Sequence, residues 1–98
     1  MHVISYKQLR DFGKKHSDSC SVLDDWLKVA SRANWSNLSE IQSVFPQVKA
    51  IDNLIVFNLK ENQYYLVASI NYEGQLIYIK SVLTHAESKE QWQNAPYL

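Results

Sequence analysis

Two β-rich runs separated by Glu73-Gly74 constrain this chain more than any other feature. Residues 64–72 and 76–83 are rich in Tyr, Ile, Val and Leu, which suit a pleated, half-buried surface. A two-residue connection containing glycine marks a β-hairpin, the glycine being available for a left-handed φ. With Glu73-Gly74 as the loop, Tyr72 faces Gln75, and the pairs run back as Ile70–Ile77, Ala68–Ile79 and Leu66–Ser81 on one face. The other face carries Asn71–Leu76, Ser69–Tyr78, Val67–Lys80 and Tyr65–Val82. Side chains alternate with period two, so the register decides every side chain's face. The first face is aliphatic and belongs to a core. The second is mixed, and is either a solvated sheet surface or a binding surface.

The rest of the chain supplies what such a sheet needs to pack against. Residues 2–4 suit a short first strand. Ser5 with Gln8 reads as a capping box, and Ile4 with Leu9 as the matching hydrophobic staple. Leu9 and Phe12 give that helix its apolar stripe, and Gly13, Lys14 and Lys15 suit its end. Ser17 or Ser19 opens a second helix, in which Leu23, Trp26, Leu27 and Ala30 recur at amphipathic spacing. Trp35 is a core candidate, because large aromatics dominate the packing of small domains. Residues 37–45 form a third helix, with Asn37 as cap, Glu40 as its box partner and Pro46 as the stop.

Residues 47–53 read as a loop, 55–59 as a strand, and Lys60-Glu61-Asn62-Gln63 as the polar turn into the hairpin. Thr84 with Glu87 is a last capping box. The order is strand, helices, then a three-strand meander. This is an α+β fold with a small antiparallel sheet, in one domain over residues 1–98.

The 98 residues are 46% apolar and 20% charged, an ordinary globular composition. Apolar runs are short and no signal-peptide pattern follows Met1, so a cytoplasmic location without a membrane span is expected. Ten basic residues balance ten acidic ones. That neutrality speaks against a nucleic-acid partner, although local basic patches remain compatible with it. Cys20 is the one cysteine, which excludes an internal disulfide and reads as a small helix residue. His2, His16 and His85 have no metal-ligand spacing, and the two glycines form no phosphate loop. No cofactor or metal is expected. His85, just past a strand end, is placed for acid–base work, and Lys80 on the mixed face for holding a phosphate. For each, the alternative is an ordinary solvated side chain.

Several blocks, taken in order, resemble a known family. They are the amino-terminal MHVIS, Ala33-Asn34-Trp35, Val44-Phe45-Pro46, Val56-Phe57-Asn58-Leu59 with Asn62 and Tyr64, Ile70-Asn71-Tyr72, and Thr84-His85-Ala86-Glu87. Together they look like the HigB toxins of bacterial type II toxin–antitoxin systems, within the RelE/ParE superfamily. The resemblance implies a RelE-like fold and a metal-independent endoribonuclease that cuts mRNA on the ribosome. It also implies a cognate helix-turn-helix antitoxin, with DNA contacted only through the antitoxin complex.

Carried over residue by residue, the resemblance makes His85 the acid or base and Lys80 the phosphate anchor. Lys60, Asn62, Tyr64, Tyr65 and Lys89 become candidates for contacting RNA, Tyr65 by stacking on a base. Two positions depart from the family pattern. Tyr65 stands where the family usually has Arg, and Ser88-Lys89 where it usually has Tyr-Asp. Tyrosine cannot supply the forked, permanent charge of arginine. An active ribonuclease with a rebuilt site, a weakened or inactive homologue that keeps its antitoxin surface, and a module that only occupies RNA or the ribosome therefore all stand as readings.

Overall fold

The computed structural model describes residues 1–5, 7–60 and 63–85. The five strands within them form one mixed sheet, and three helices supply its cover. The strands are β1 (His2–Ile4), β2 (Lys49–Ile51), β3 (Leu54–Leu59), β4 (Tyr64–Asn71) and β5 (Leu76–Thr84), in spatial order β1-β5-β4-β3-β2. The helices are α1 (Lys7–Lys15), α2 (Cys20–Arg32) and α3 (Leu38–Val44), with a 3₁₀ turn at Ser17–Ser19 leading into α2. The expected α+β architecture is present. The sheet differs from a plain antiparallel meander because β1 joins β5 in parallel.

The core lies between helices and sheet. Phe57 on β3 is its hub, fully buried and met edge-on by Trp26 and Phe45, each at 5.3 Å between ring centroids. Edge-to-face contacts of this kind suit the aromatic quadrupole and add to the burial of area. Trp35 also lies in this core, against Phe45 and Phe57. The third helix starts as its sequence suggests. Asn37 Oδ1 accepts the Glu40 N–H at 3.1 Å, but the returning Glu40 carboxylate takes the Ser36 N–H at 2.8 Å rather than that of the cap itself. The first bond satisfies an N–H group that a helix start leaves open, and the second holds the residue before the cap.

Four sequence expectations need correction. First, the β4–β5 connection is a four-residue loop, 72–75, and Tyr72 and Gln75 are not a ladder pair. The left-handed residue is Gln75 (φ 55), not Gly74. The Gln75 side chain secures that conformation by donating to the carbonyls of Trp35 and Tyr72, each at 2.8 Å. Gly74 serves a close approach instead. Its N–H donates to Asn71 Oδ1 at 3.0 Å, and an added Cβ would meet Asn71 Nδ2 at 3.3 Å.

Second, the pairing slips. The expected register holds from Asn71–Leu76 to Ala68–Ile79, and then Val67 pairs with Ser81, Leu66 with Val82 and Tyr65 with Leu83. Lys80 is the extra residue of a β-bulge. A one-residue slip changes the face of everything beyond it. Here it carries Val82 into the core and Ser81 out of it, which a regular ladder would not do.

Third, residues 49–51 form β2 rather than part of a loop. They pair with β3 through a two-residue turn in which Asp52 is left-handed (φ 56). Asp and Asn tolerate that region, so the Asp52-Asn53 pair between Ile51 and Leu54 was a hairpin signal.

Fourth, Ser5 is left-handed (φ 71) and is not placed as an ordinary N-cap, and the Gln8 amide donates instead to the Ile79 carbonyl at 3.3 Å. Gly13, Lys14 and Lys15 do fall in the last turn of α1, and Gly13 is buried there. An added Cβ there would stand 3.0 Å from Cys20 Sγ. Cys20 itself is exposed at the first position of α2. The helical turn expected from Thr84 and Glu87 falls outside the described residues.

Candidate functional site

The site begins with two adjacent tyrosines that a strand sends to opposite faces. Tyr64 joins the main core, whereas Tyr65 packs beside the small apolar cluster of Ile51, Val56, Val67 and Leu83 on the other face. Tyr65 sits between Asn58 on β3 and Leu83 on β5 in the ladder. Two residues past Leu83, the exposed His85 is held by its backbone, whose N–H donates to the Gln63 carbonyl at 3.0 Å. The Tyr65 hydroxyl lies 3.2 Å from His85 Nδ1, and the rings are tilted by 32° at 6.0 Å between centroids.

That contact restricts the chemistry of the imidazole. With the tyrosine hydroxyl donating to Nδ1, the neutral ring keeps its proton on Nε2. In the imidazolium, Nδ1–H donates to the tyrosine oxygen. In each form the contact orients the imidazole ring.

The opposite side of the β3–β4 turn carries a second cluster. Asp18 in the 3₁₀ turn accepts the Lys60 ammonium at 2.7 Å and the Tyr64 hydroxyl at 2.7 and 2.8 Å to its two oxygens. The Tyr64 ring is fixed as well, edge-on to Phe12 at 5.3 Å and beside His16 at 5.9 Å. Hydrogen bonds from Lys60 and then Tyr64 hold the Asp18 carboxyl below its ordinary pKa of 3.8. The same contact, with Tyr64 burial second, raises the Tyr64 phenol above its ordinary 10.0.

The structure therefore sorts the sequence candidates into groups. Tyr65 and His85 come together on the outer face. Lys60 and Tyr64 come together on Asp18, away from that face. Lys80 is exposed at the bulge. At about 3.3 Å per strand residue, the five steps from Lys80 to His85 separate their backbones by about 16 Å. Asn62 and Lys89 lie outside the described residues. Asp18 is a member of the site that the sequence does not single out. Its partners are 42 and 46 residues away, and no local pattern announces such a contact. Among the described residues, no group of three or more His, Cys, Asp or Glu converges as a metal site. Nor is any described helix long and apolar enough to cross a membrane.

Residues 19–92 match the HigB_toxin family, described as the RelE-like toxic component of a toxin-antitoxin system. The chain belongs to the HigB toxin family. Among individual relatives, the mRNA interferase toxin HigB of Escherichia coli (strain K12) is 30% identical over 90 residues, covering 89% of this chain and 86% of that protein. The mRNA interferase HigB of Shigella flexneri is 30% identical over the same lengths. The mRNA interferase HigB of Escherichia coli O6:H1 is 23% identical over 90 residues. As a HigB-family member the chain is the toxic component of a toxin–antitoxin pair, so an antitoxin is its partner. The α+β fold is the one expected for a RelE-like toxin.

Proposed function

We propose that this HigB-family chain is an mRNA interferase that inhibits translation by cutting mRNA at the ribosome, and that a helix-turn-helix antitoxin restrains it. The observation that carries this reading is the Tyr65–His85 contact on the exposed face of the sheet.

Cleavage of RNA without an external nucleophile proceeds by attack of a 2′-hydroxyl on the neighbouring phosphorus. The P–O5′ bond breaks, leaving a 2′,3′-cyclic phosphate and a 5′-hydroxyl. One proton leaves the 2′-oxygen and one is delivered to the departing 5′-oxygen. His85 performs one of these transfers, a contribution of about 10²–10⁴-fold for a positioned acid or base. Tyr65 orients the imidazole and offers a ring face for an unstacked base.

With about 16 Å between backbones, Lys80 anchors a phosphate at another position along the strand rather than the one being cleaved. Lys60, Asn62, Tyr64 and Lys89 are the remaining proposed contacts. Of these, Lys60 and Tyr64 must act from the Asp18 side of the turn.

Induced expression of the chain alone tests this reading. Growth arrest with new 5′ ends in coding regions, abolished by His85→Ala, is the expected result. Intact transcripts from a soluble, folded protein would overturn it.

A second reading has its own observation. Tyr65 is a neutral phenol engaged with His85 where the family's usual arginine would bring a fixed positive charge. Such a chain would be a weakened or inactive homologue that binds antitoxin or RNA. Antitoxin binding without transcript cleavage is the result that selects it.

A further inference from the structure

Asp18 links the helical layer to the outer face through a short run of contacts. Its carboxylate holds the hydroxyl of Tyr64 and the ammonium of Lys60. These residues stand on either side of the β3–β4 turn, and Lys60 is left-handed there (φ 48). The Gln63 N–H closes onto the Lys60 carbonyl at 3.1 Å, and the Gln63 carbonyl receives the His85 N–H at 3.0 Å. Tyr64 is bonded along the chain to Tyr65, whose hydroxyl meets His85 Nδ1 at 3.2 Å. Two anchors of His85, one on its backbone and one on its ring, thus come from the three-residue stretch 63–65, and the Asp18 carboxylate holds that stretch from behind.

We infer that Asp18 is a positioning residue for the Tyr65–His85 pair, acting through Tyr64 and Lys60 without touching substrate. The charge-assisted bonds it accepts are stronger than neutral ones, and the carboxylate engages the phenol through both oxygens. An exposed lysine–carboxylate pair by itself contributes little to stability. Here the Tyr64 ring is already clamped by Phe12 and His16, so the carboxylate's effect falls on where the turn sits. Catalytic geometry is sensitive on that scale, because a displacement of about 1 Å can cost on the order of 10²-fold in rate.

As applied to cleavage, the inference rests on the ribonuclease reading, so its primary test is independent of activity. The imidazole nitrogens of His85 and the amide of Gln63 are followed by ¹⁵N NMR in the whole chain. The variants are Asp18→Ala, Asp18→Glu and Tyr64→Phe, with folding checked by circular dichroism. Asp18→Ala is expected to shift the His85 Nδ1 and Nε2 signals and the Gln63 amide, and Asp18→Glu to restore part of the shift. Tyr64→Phe, which removes one oxygen and keeps the ring, is expected to act as Asp18→Ala does and stands in for it if that variant does not fold.

Unchanged His85 signals in a folded Asp18→Ala or Tyr64→Phe protein overturn the inference, whatever the chain does to RNA. Where RNA is cut, kcat should fall about ten- to a hundred-fold with KM little changed, and the Glu variant should recover part of kcat. If RNA is not cut but the His85 signals move, the ribonuclease reading fails and the positioning role stands.

Discussion

The Tyr65 hydroxyl and His85 Nδ1 lie 3.2 Å apart, joining the start of β4 to the end of β5. This contact replaces an electrostatic arrangement with an orienting one. An arginine at position 65 would bring permanent charge, whereas the tyrosine holds the imidazole ring through Nδ1. Removing the hydroxyl by Tyr65→Phe should lower cleavage about tenfold, within the range for losing one positioned donor or its support. Tyr65→Arg should raise cleavage above the parent by about tenfold or more, by adding charge stabilisation at the phosphate. Single-turnover cleavage of a defined RNA measures both, and an inactive Tyr65→Arg chain would argue against a phosphate-facing role for position 65.

Lys80 sits where the bulge breaks the β4–β5 register, exposed and distant along the strand from His85. A residue that only anchors a phosphate contributes to binding more than to the chemical step. Lys80→Ala should weaken RNA binding nearly equally for all sequences. It should also flatten the dependence of log K on log salt by about 0.7, the contribution of one phosphate on a single strand. Binding titrations at several salt concentrations decide this, and an unaltered slope removes Lys80 from the interface.

Asp18 and Tyr64 give the fold a predictable response to pH at both ends. The Asp18 carboxyl is depressed below 3.8, chiefly by its hydrogen bond from Lys60. The folded state therefore releases that proton more readily than the unfolded state does. Its stabilising contribution is present above about pH 3.8 and is lost as pH falls below it. Tyr64 is raised above 10.0 by its bond to Asp18, so the folded state keeps the phenol proton longer. That contribution is present below about pH 10 and disappears as pH rises beyond it. Thermal melts across pH should show both losses in the parent chain. The alkaline one should shrink in Tyr64→Phe, leaving the part due to Tyr72, whose phenol is also raised by burial, and the acid one should shrink in Asp18→Asn.

Phe57 is fully buried and meets Trp26, Phe45 and Trp35. Phe57→Ala leaves a cavity at the hub of the core and should cost about 3–5 kcal/mol of stability. Phe57→Leu should cost less, because it refills part of the volume. Urea unfolding of the two variants gives the comparison. Similar values for both would mean that the surrounding aromatics collapse into the space.

Much of the fold follows from local sequence. The alternation along 64–71 and 76–79 identifies both strands and their core face. The Asn37 cap and the amphipathic spacing of Leu23, Trp26, Leu27 and Ala30 locate two helices, and Val56-Phe57-Asn58-Leu59 with Thr84-His85 carries the family resemblance. These are effects of neighbours in the chain, through periodicity and capping, so one sequence suffices to read them. Tertiary structure decided the rest. The bulge at Lys80 arises because Val82 gains a buried place that a regular ladder would give to Ser81. β2 forms because β3 offers it an edge, and Gln75 is held left-handed through the Trp35 carbonyl 40 residues away. Above all, the pairing of Tyr65 with His85 and the hold of Asp18 on Tyr64 and Lys60 span 20 to 46 residues. Contacts at that separation are fixed by how the layers close on one core, and chain pattern carries no trace of them.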